Sequence, residues 1–277
     1  MTRHIEEVMG TVVSIEVPDH TDPKLLGRVF AWMHMVEQLF SVFIPDSEIS
    51  RIGRGELLAD DADPAVRHVL TKCDELQVLT EGAFRHRHRT VDRPLDPSGY
   101  VKGWSVERAL LDLRIAGVPR ACIGAGGDTA GFVSDGEQPW KVGIRNPDDP
   151  DGVAAILDLT NGAVATSAEY ERGHHIQGRP GQERPGPGQP GQEPPRPGQP
   201  DAAPPAGILS PLTSVCVIGP DLGICDALAT AIWADGAALG ISAPPWMSNF
   251  PGHDTFVCTT DGRIVYSERL QPIITAG

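Results

Sequence analysis

"RACIGAGGDTAG", Arg120 to Gly131, decides between two architectures. A short apolar strand running into glycines marks a dinucleotide-binding fold only when the glycines stand as GxGxxG and open a helix, so that pyrophosphate meets the helix N-terminus. Here Gly124, Gly126 and Gly127 break that spacing, and no helical pattern follows. The segment reads as a strand and a turn; the competing reading is a nest of backbone amides open to an anion. A doubly wound sheet thereby loses its main signature.

Working outward, the chain falls into runs. Upstream, "TVVSIEV" (Thr11 to Val17) alternates apolar and polar residues as a half-buried strand does. "TDPKLL" opens a helix, with Asp22 as N-cap and Pro23 at the first helical position; Leu25, Val29, Trp32, Val36 and Phe40 recur at three- and four-residue steps. The design repeats with Asp63 and Pro64, with Val66, Val69, Cys73, Leu76 and Leu79 facing inward and Gly82 as the stop. A third helix is expected from about Lys102 to Ala116, ended by Gly117. Downstream, "WKVGIR", "AAILDL", "AVATS" and "TSVCVIG" read as short strands. "DTFVCTTDGRIVYSE" reads as a hairpin turning at Asp261-Gly262. Helices and strands in runs, without strict alternation, predict an α+β fold.

One stretch fits neither kind of run. Gln177 to Ala206 repeats Pro-Gly-Gln four times and carries almost no apolar side chains, so packing cannot offset its ordering entropy. The expectation is a disordered, semi-extended insertion within the domain. Lengthening a loop from about 10 to about 30 residues costs only about 1 kcal/mol more in closure entropy, so the fold should tolerate it.

Composition excludes several classes of function. With 23 basic and 37 acidic residues the net charge is -14, a field that repels nucleic acid and anionic lipid. No apolar run approaches the roughly 20 residues of a membrane helix, so no direct membrane insertion is expected. The opening residues lack the layout of a secretory signal, which points to the cytoplasm. The 5 cysteines are scattered and never form CxxC, so they read as reduced thiols, neither zinc ligands nor a disulfide framework.

Several constellations could carry chemistry. In "PDLGICDALATAIWADG" Asp221 is a plausible cap, and Asp226 and Thr230 stand four apart on one helical face. They could offer two oxygen ligands to a hard cation such as magnesium, or form a solvated polar pair. "LDPSGYVKGWSVERAL" sets Asp96 six residues before Lys102, with Gly99 between them; a Gly99 carbonyl could ligate a cation. A lysine near a helix N-terminus opposes the dipole unless an anion sits there. His174 and His175 are either solvated loop residues or a source of general-base chemistry. "FRHRHRTVDR" (Phe84 to Arg93) reads as a solvated basic loop.

The order of these blocks adds to them. "EEVMGTVVSI", "FSVFIPDSEISRI", "TEGAF", "LDPSGYVKGWSVERA", "GAGGD", "WKVGIRNP", "GAVATSAEYERGHHI" and "DALATA" together resemble the ApbE-type FAD:protein FMN transferases, from about Glu6 to the C-terminal hairpin, excluding the Pro-Gly-Gln tract. The resemblance implies a single domain of mixed sheets packed with helices. It implies FAD as substrate, magnesium as cofactor, and transfer of FMN to a Ser or Thr hydroxyl of a flavin-acceptor protein with release of AMP. On that resemblance Gly99, Asp226 and Thr230 would hold the metal and His175 would be the general base. Met9, Phe43, Ala83, Phe84, Arg85, Asp96, Lys102 and Ile176 would contact FAD. Asp128 of "GGD" is expected to be a structural acid, outside the metal site.

The chain also departs from the pattern. The family follows "HI" with an Asp-Pro-x-Thr-Gly turn; here Gln177 begins the Pro-Gly-Gln tract. "TSA" (Thr166 to Ala168) ends in alanine where the family has glycine, Arg85 stands where "GAF" is followed by aspartate, and Gly124 replaces an asparagine. The expectation is retained FAD binding with impaired or acceptor-restricted transfer. The alternatives are a non-catalytic FAD-binding protein and an FAD pyrophosphatase giving FMN and AMP.

Overall fold

Aspartate before proline starts two of the helices, as the sequence suggests. In the computed structural model, which describes residues 1–88, 94–149, 151–168, 212–239 and 243–276, the Asp22 carboxylate accepts from the Lys24 N–H at the head of α1 (Pro23–Phe40). Asp63 does the same for Ala65 at the head of α3 (Pro64–Leu79). Each proline sits where its missing N–H would have had no partner. Between them lies α2 (Glu48–Gly53), capped by Ser47 and absent from the sequence reading. Leu25, Val29, Val36 and Phe40 are buried on α1, with Trp32 half-buried; Val66, Val69, Cys73 and Leu76 are buried on α3. Leu79, expected to face inward, is 40% exposed because it falls beside the stripe that Val66, Val69, Cys73 and Leu76 continue into the buried Thr80.

The strands form two antiparallel sheets. In chain order they are β1 (Thr2–Val8), β2 (Thr11–Val17), β3 (Arg120–Ala125), β4 (Asp128–Val133), β5 (Trp140–Arg145), β6 (Val153–Leu159), β7 (Asn161–Ala168), β8 (Leu212–Gly219), β9 (Asp254–Thr259), β10 (Ile264–Tyr266) and β11 (Ile274–Ala276). The large sheet runs β1-β2-β3-β4-β7-β8-β9-β10 and the small one β11-β6-β5. No pairing is parallel among the described residues, as expected of α+β and not of a doubly wound sheet. Residues 169–211 connect β7 to β8, and these neighbours are paired up to Ala168↔Ser214. His175, Ile176 and the Pro-Gly-Gln tract expected to be disordered (177–206) lie outside the described residues.

The helices α1, α3, α4 (Ser98–Ile115) and α5 (Leu222–Leu239) cover one face of the large sheet, where Val13, Ile15 and Val17 of β2 are fully buried. On the other face, the small sheet closes a second core built from Leu157, Val164, Cys216, Ile218 and Phe256 among others. α5 is the central helix: Leu222, Cys225, Ala227, Leu228, Ala229 and Ala231 are all buried, so its apolar surface runs around the axis. It crosses α4 at unusually short range. A Cβ on Gly103 would stand 2.5 Å from the Leu222 carbonyl oxygen, and one on Gly223 would stand 2.8 Å from the Tyr100 ring. Only glycine permits that approach.

Two sequence expectations need correction. α4 begins at Ser98, four residues before the expected start, because the Asp96 carboxylate accepts from the Ser98 N–H and the following turn packs inward through Tyr100 and Val101. "FRHRHRTVDR" is not wholly a solvated loop: His86 is fully buried, with its Nε2 3.2 Å from Asp74 Oδ1. Burial pushes its pKa down to about 4 against the opposing pull of Asp74. The five cysteines are free thiols, as expected.

Candidate functional site

The α4–α5 crossing brings together residues that are far apart in the chain. Asp226 and Thr230 lie one turn apart on α5, with Asp226 fully buried and Thr230 half-buried. Gly99, at the start of α4, faces them: a Cβ on it would stand 3.5 Å from Thr230 Oγ1 and 3.3 Å from the edge of the Phe84 ring. The three residues assigned to a metal by resemblance therefore converge at one place. A fully buried aspartate needs compensating charge. The structure supplies it through Lys102.

Lys102 lies in the second turn of α4, with its side chain 16% exposed. Its ammonium pairs closely with Asp128 Oδ2 and stands 3.8 Å from Asp226 Oδ2. The lysine that opposed the helix dipole in the sequence thus has two carboxylates to answer it. Asp128 is the first residue of β4, delivered by a two-residue hairpin turn in which Gly126 and Gly127 both take positive φ, 54° and 86°. That geometry requires glycine and resolves the opening ambiguity: "GAGGD" is a tight hairpin turn whose product is a placed carboxylate. The other Asp128 oxygen, Oδ1, accepts from the Thr166 N–H of β7 at 3.0 Å. Burial, and next the Asp226 charge, hold the Asp128 carboxyl above the usual carboxylate range, with Lys102 and the Thr166 N–H opposing them.

The proposed flavin contacts are placed as follows. Met9 occupies the β1–β2 turn at φ 55°, a conformation uncommon outside glycine. Its sulfur is 3.6 Å from the Ser105 hydroxyl, which also bonds the Lys102 carbonyl at 2.7 Å, so Met9 and Lys102 meet through one serine. Ala83 and Phe84 are buried, 7% and 1% exposed, and Phe84 buttresses Gly99 with its ring edge. Arg85 donates to the Gly82 carbonyl at 2.8 Å. Asp96 accepts from the Ser98 N–H just ahead of α4. Phe43 lies on the loop between α1 and α2, with its ring 74% exposed. His175 and Ile176 lie outside the described residues.

The sequence reading set Asp128 aside as a structural acid; the structure makes it the closest charged neighbour of Lys102. The signal that could have found it is an acid at a strand start immediately after a Gly-Gly turn, opposite a lone lysine. A second group also escaped notice. Glu107 of α4 accepts from the Gly223 N–H at 3.2 Å beside Asp221, which caps α5 by accepting from the Ile224 N–H at 2.9 Å. Burial first, then the charge and hydrogen bond of Asp221, push the Glu107 pKa up to about 9. A groove of about 390 Å3 crosses β2–β4 beside Trp140 and Lys141; Asp128 is in its lining, and none of the residues singled out for flavin or metal lines it. Gly124 does, with Ser14 Oγ 3.2 Å from the place of its absent Cβ.

No cluster of three or more His, Cys, Asp or Glu side chains suited to a metal occurs among the described residues. The donor set at the α4–α5 crossing is of another kind: one carboxylate, one hydroxyl and one glycine backbone, all oxygen donors, which suit a hard cation such as magnesium. No helix among the described residues is long and apolar enough to cross a membrane.

Comparison with known proteins gives a consistent picture. The model of the ApbE family matches residues 9–93 and 85–184. A curated relative, the FAD:protein FMN transferase of Rhodobacter capsulatus, is 32% identical over 111 residues, a match spanning 40% of this chain and 21% of the relative. Among solved structures, the ApbE protein of Thermotoga maritima superposes with a TM-score of 0.74 at 18% identity, covering 98% of both chains. The flavin transferase ApbE of Vibrio cholerae gives 0.72 at 21% identity, again over 98% of both. The apo flavinyl transferase ApbE of Pseudomonas stutzeri gives 0.70 at 18%, covering 99% of this chain and 97% of the other. At these identities the structures speak for the fold.

Proposed function

The chain belongs to the ApbE family, and from that premise we propose that it transfers the FMN moiety of FAD to a Ser or Thr hydroxyl of an acceptor protein, with magnesium as cofactor and AMP as the leaving group. The observation that carries the proposal is the convergence of Gly99, Lys102, Asp226 and Thr230 at one helix crossing. A bound divalent cation supplies neutralisation of the diphosphate and polarisation of the phosphorus, typically worth several kcal/mol. Asp226, Thr230 and the Gly99 carbonyl would hold it.

The chain's own groups do the rest. A molecule with net charge -14 needs local positive charge to accept a dinucleotide, and Lys102 provides it where α4 meets the buried acids. Met9 shares Ser105 with the Lys102 backbone, so a flavin against its thioether would lie beside the turn of α4 that carries Lys102. In the transfer the acceptor oxygen forms a bond to the FMN phosphorus and the diphosphate bridge breaks toward AMP. The hydroxyl proton passes to His175 as general base.

The test is incubation of purified protein with FAD, magnesium and a candidate acceptor, followed by mass spectrometry of every product. FMN on the acceptor is the expected result, and Asp226→Ala should abolish it. Free FMN and AMP would mean hydrolysis, and unchanged FAD would mean binding alone. Equal turnover by Asp226→Ala and the parent would remove the proposed metal site.

A further inference from the structure

Two buried carboxylates share one ammonium at the α4–α5 crossing, and they share it unequally. Lys102 Nζ lies against Asp128 Oδ2, while Asp226 Oδ2 stands 3.8 Å away. The inequality is built in from several elements. The Asp128 carboxylate is oriented by the Thr166 N–H on Oδ1, which leaves Oδ2 turned to the lysine. The Lys102 backbone is anchored by the Ser105 hydroxyl on its carbonyl. Both carboxylates are fully excluded from water, so each interaction is screened little.

We infer that Asp128 is a positioning residue that draws the Lys102 ammonium off Asp226 and so keeps the Asp226 carboxylate available to a divalent cation. This rests on the proposed metal role of Asp226. A lysine left to choose between a cation-binding carboxylate and water would close on the carboxylate, and any metal ion would first have to displace it. Asp128 removes that competition without removing the positive charge, which stays beside the site for an anionic ligand. The effect of Asp128 is thereby conditional on Lys102, which separates it from a direct ligand or a purely structural acid.

The experiment is a double-mutant cycle read by manganese binding, with free Mn2+ followed by its paramagnetic resonance signal at pH 8 and no flavin present. Asp128→Asn keeps an acceptor for the Thr166 N–H and should weaken Mn2+ binding about tenfold, equivalent to about 1.4 kcal/mol. Lys102→Met should bind Mn2+ at least as tightly as the parent. In the Lys102→Met background, Asp128→Asn should change affinity by less than about twofold. Equal losses from Asp128→Asn with and without the lysine would overturn the inference and leave the metal site standing. A folded Lys102→Met protein that binds Mn2+ more weakly than the parent would overturn it as well, even if Asp128→Asn could not be purified. Unchanged Mn2+ binding in Asp226→Ala would instead remove the cation site, and the inference with it.

Discussion

Replacing Gly103 by alanine tests the tightest packing in the molecule. The new methyl would stand 2.5 Å from the Leu222 oxygen, 2.6 Å from the Leu222 carbonyl carbon and 2.7 Å from Gly223 Cα. Ordinary carbon contacts need about 3.5–4.0 Å, so the helices must part by about 1 Å. All three opposing atoms are backbone, and none can rotate away. Overpacking of this kind costs about 3 kcal/mol, at the high end of its usual range. Alanine returns about 1 kcal/mol of helix propensity, leaving a net loss of about 2 kcal/mol. For a chain of this size that lowers the melting temperature by about 4–8 °C. Gly27→Ala is the matched control, because nothing lies within 4 Å of its added Cβ on α1. That variant should gain about 0.5–1 kcal/mol. Parallel calorimetric melts of both variants and the parent give the comparison. Parting α4 from α5 also moves Gly99 and Lys102 away from Thr230 and Asp226, so on the proposed function FMN transfer by Gly103→Ala should fall further than its melting point implies. A Gly103→Ala protein melting at or above the parent would refute the close crossing on which the site geometry rests.

Two predictions concern pH. Glu107, with its folded pKa raised from 4.5 to about 9, holds its proton more tightly folded than unfolded, so the stability it contributes is present below 4.5 and lost as pH rises toward 9. Glu107→Gln keeps the acceptor for the Gly223 N–H and cannot ionise; urea midpoints should put it about 2 kcal/mol above the parent at pH 8 and much nearer the parent at pH 5. An equal difference at both pH values would count against the buried-carboxyl reading. His86 behaves oppositely: with its folded pKa lowered from 6.5 to about 4, the unfolded chain binds the extra proton in that window, and stability falls as the solution is acidified. His86→Phe should flatten this acid limb, sparing about 2 kcal/mol of the loss between pH 6.5 and 4, measured as the slope of urea midpoints against pH.

How much of this was legible beforehand depended on the range of the forces involved. The heads of α1 and α3 were readable because Asp22-Pro23 and Asp63-Pro64 carry their own capping chemistry within three residues. β2 was readable from alternation alone. β1 was missed because an exposed edge strand buries almost nothing: Val8 is its one buried residue. β4 was missed because it packs on both faces and carries Gly131, whose missing side chain admits Trp140 at 3.1 Å from the Cβ position. The third helix was placed four residues late because Asp96, Pro97 and Gly99 look like a turn until Tyr100 is seen packed on Gly223.

The sequence by itself determined the α+β class, the capped helices, the strands β3 and β5 to β10, and the pairing of Asp226 with Thr230 on one helical face. Each follows from contacts within a turn or two of chain, where spacing alone sets geometry. Only the tertiary structure decided that Gly99 faces Thr230, that His86 is buried, and that Asp128 and Asp226 compete for Lys102. Those facts depend on how closely two helices cross and on which strand a glycine turn delivers. Such distances are set by the packing of residues on different elements, many of them far apart in the chain, which no local pattern encodes.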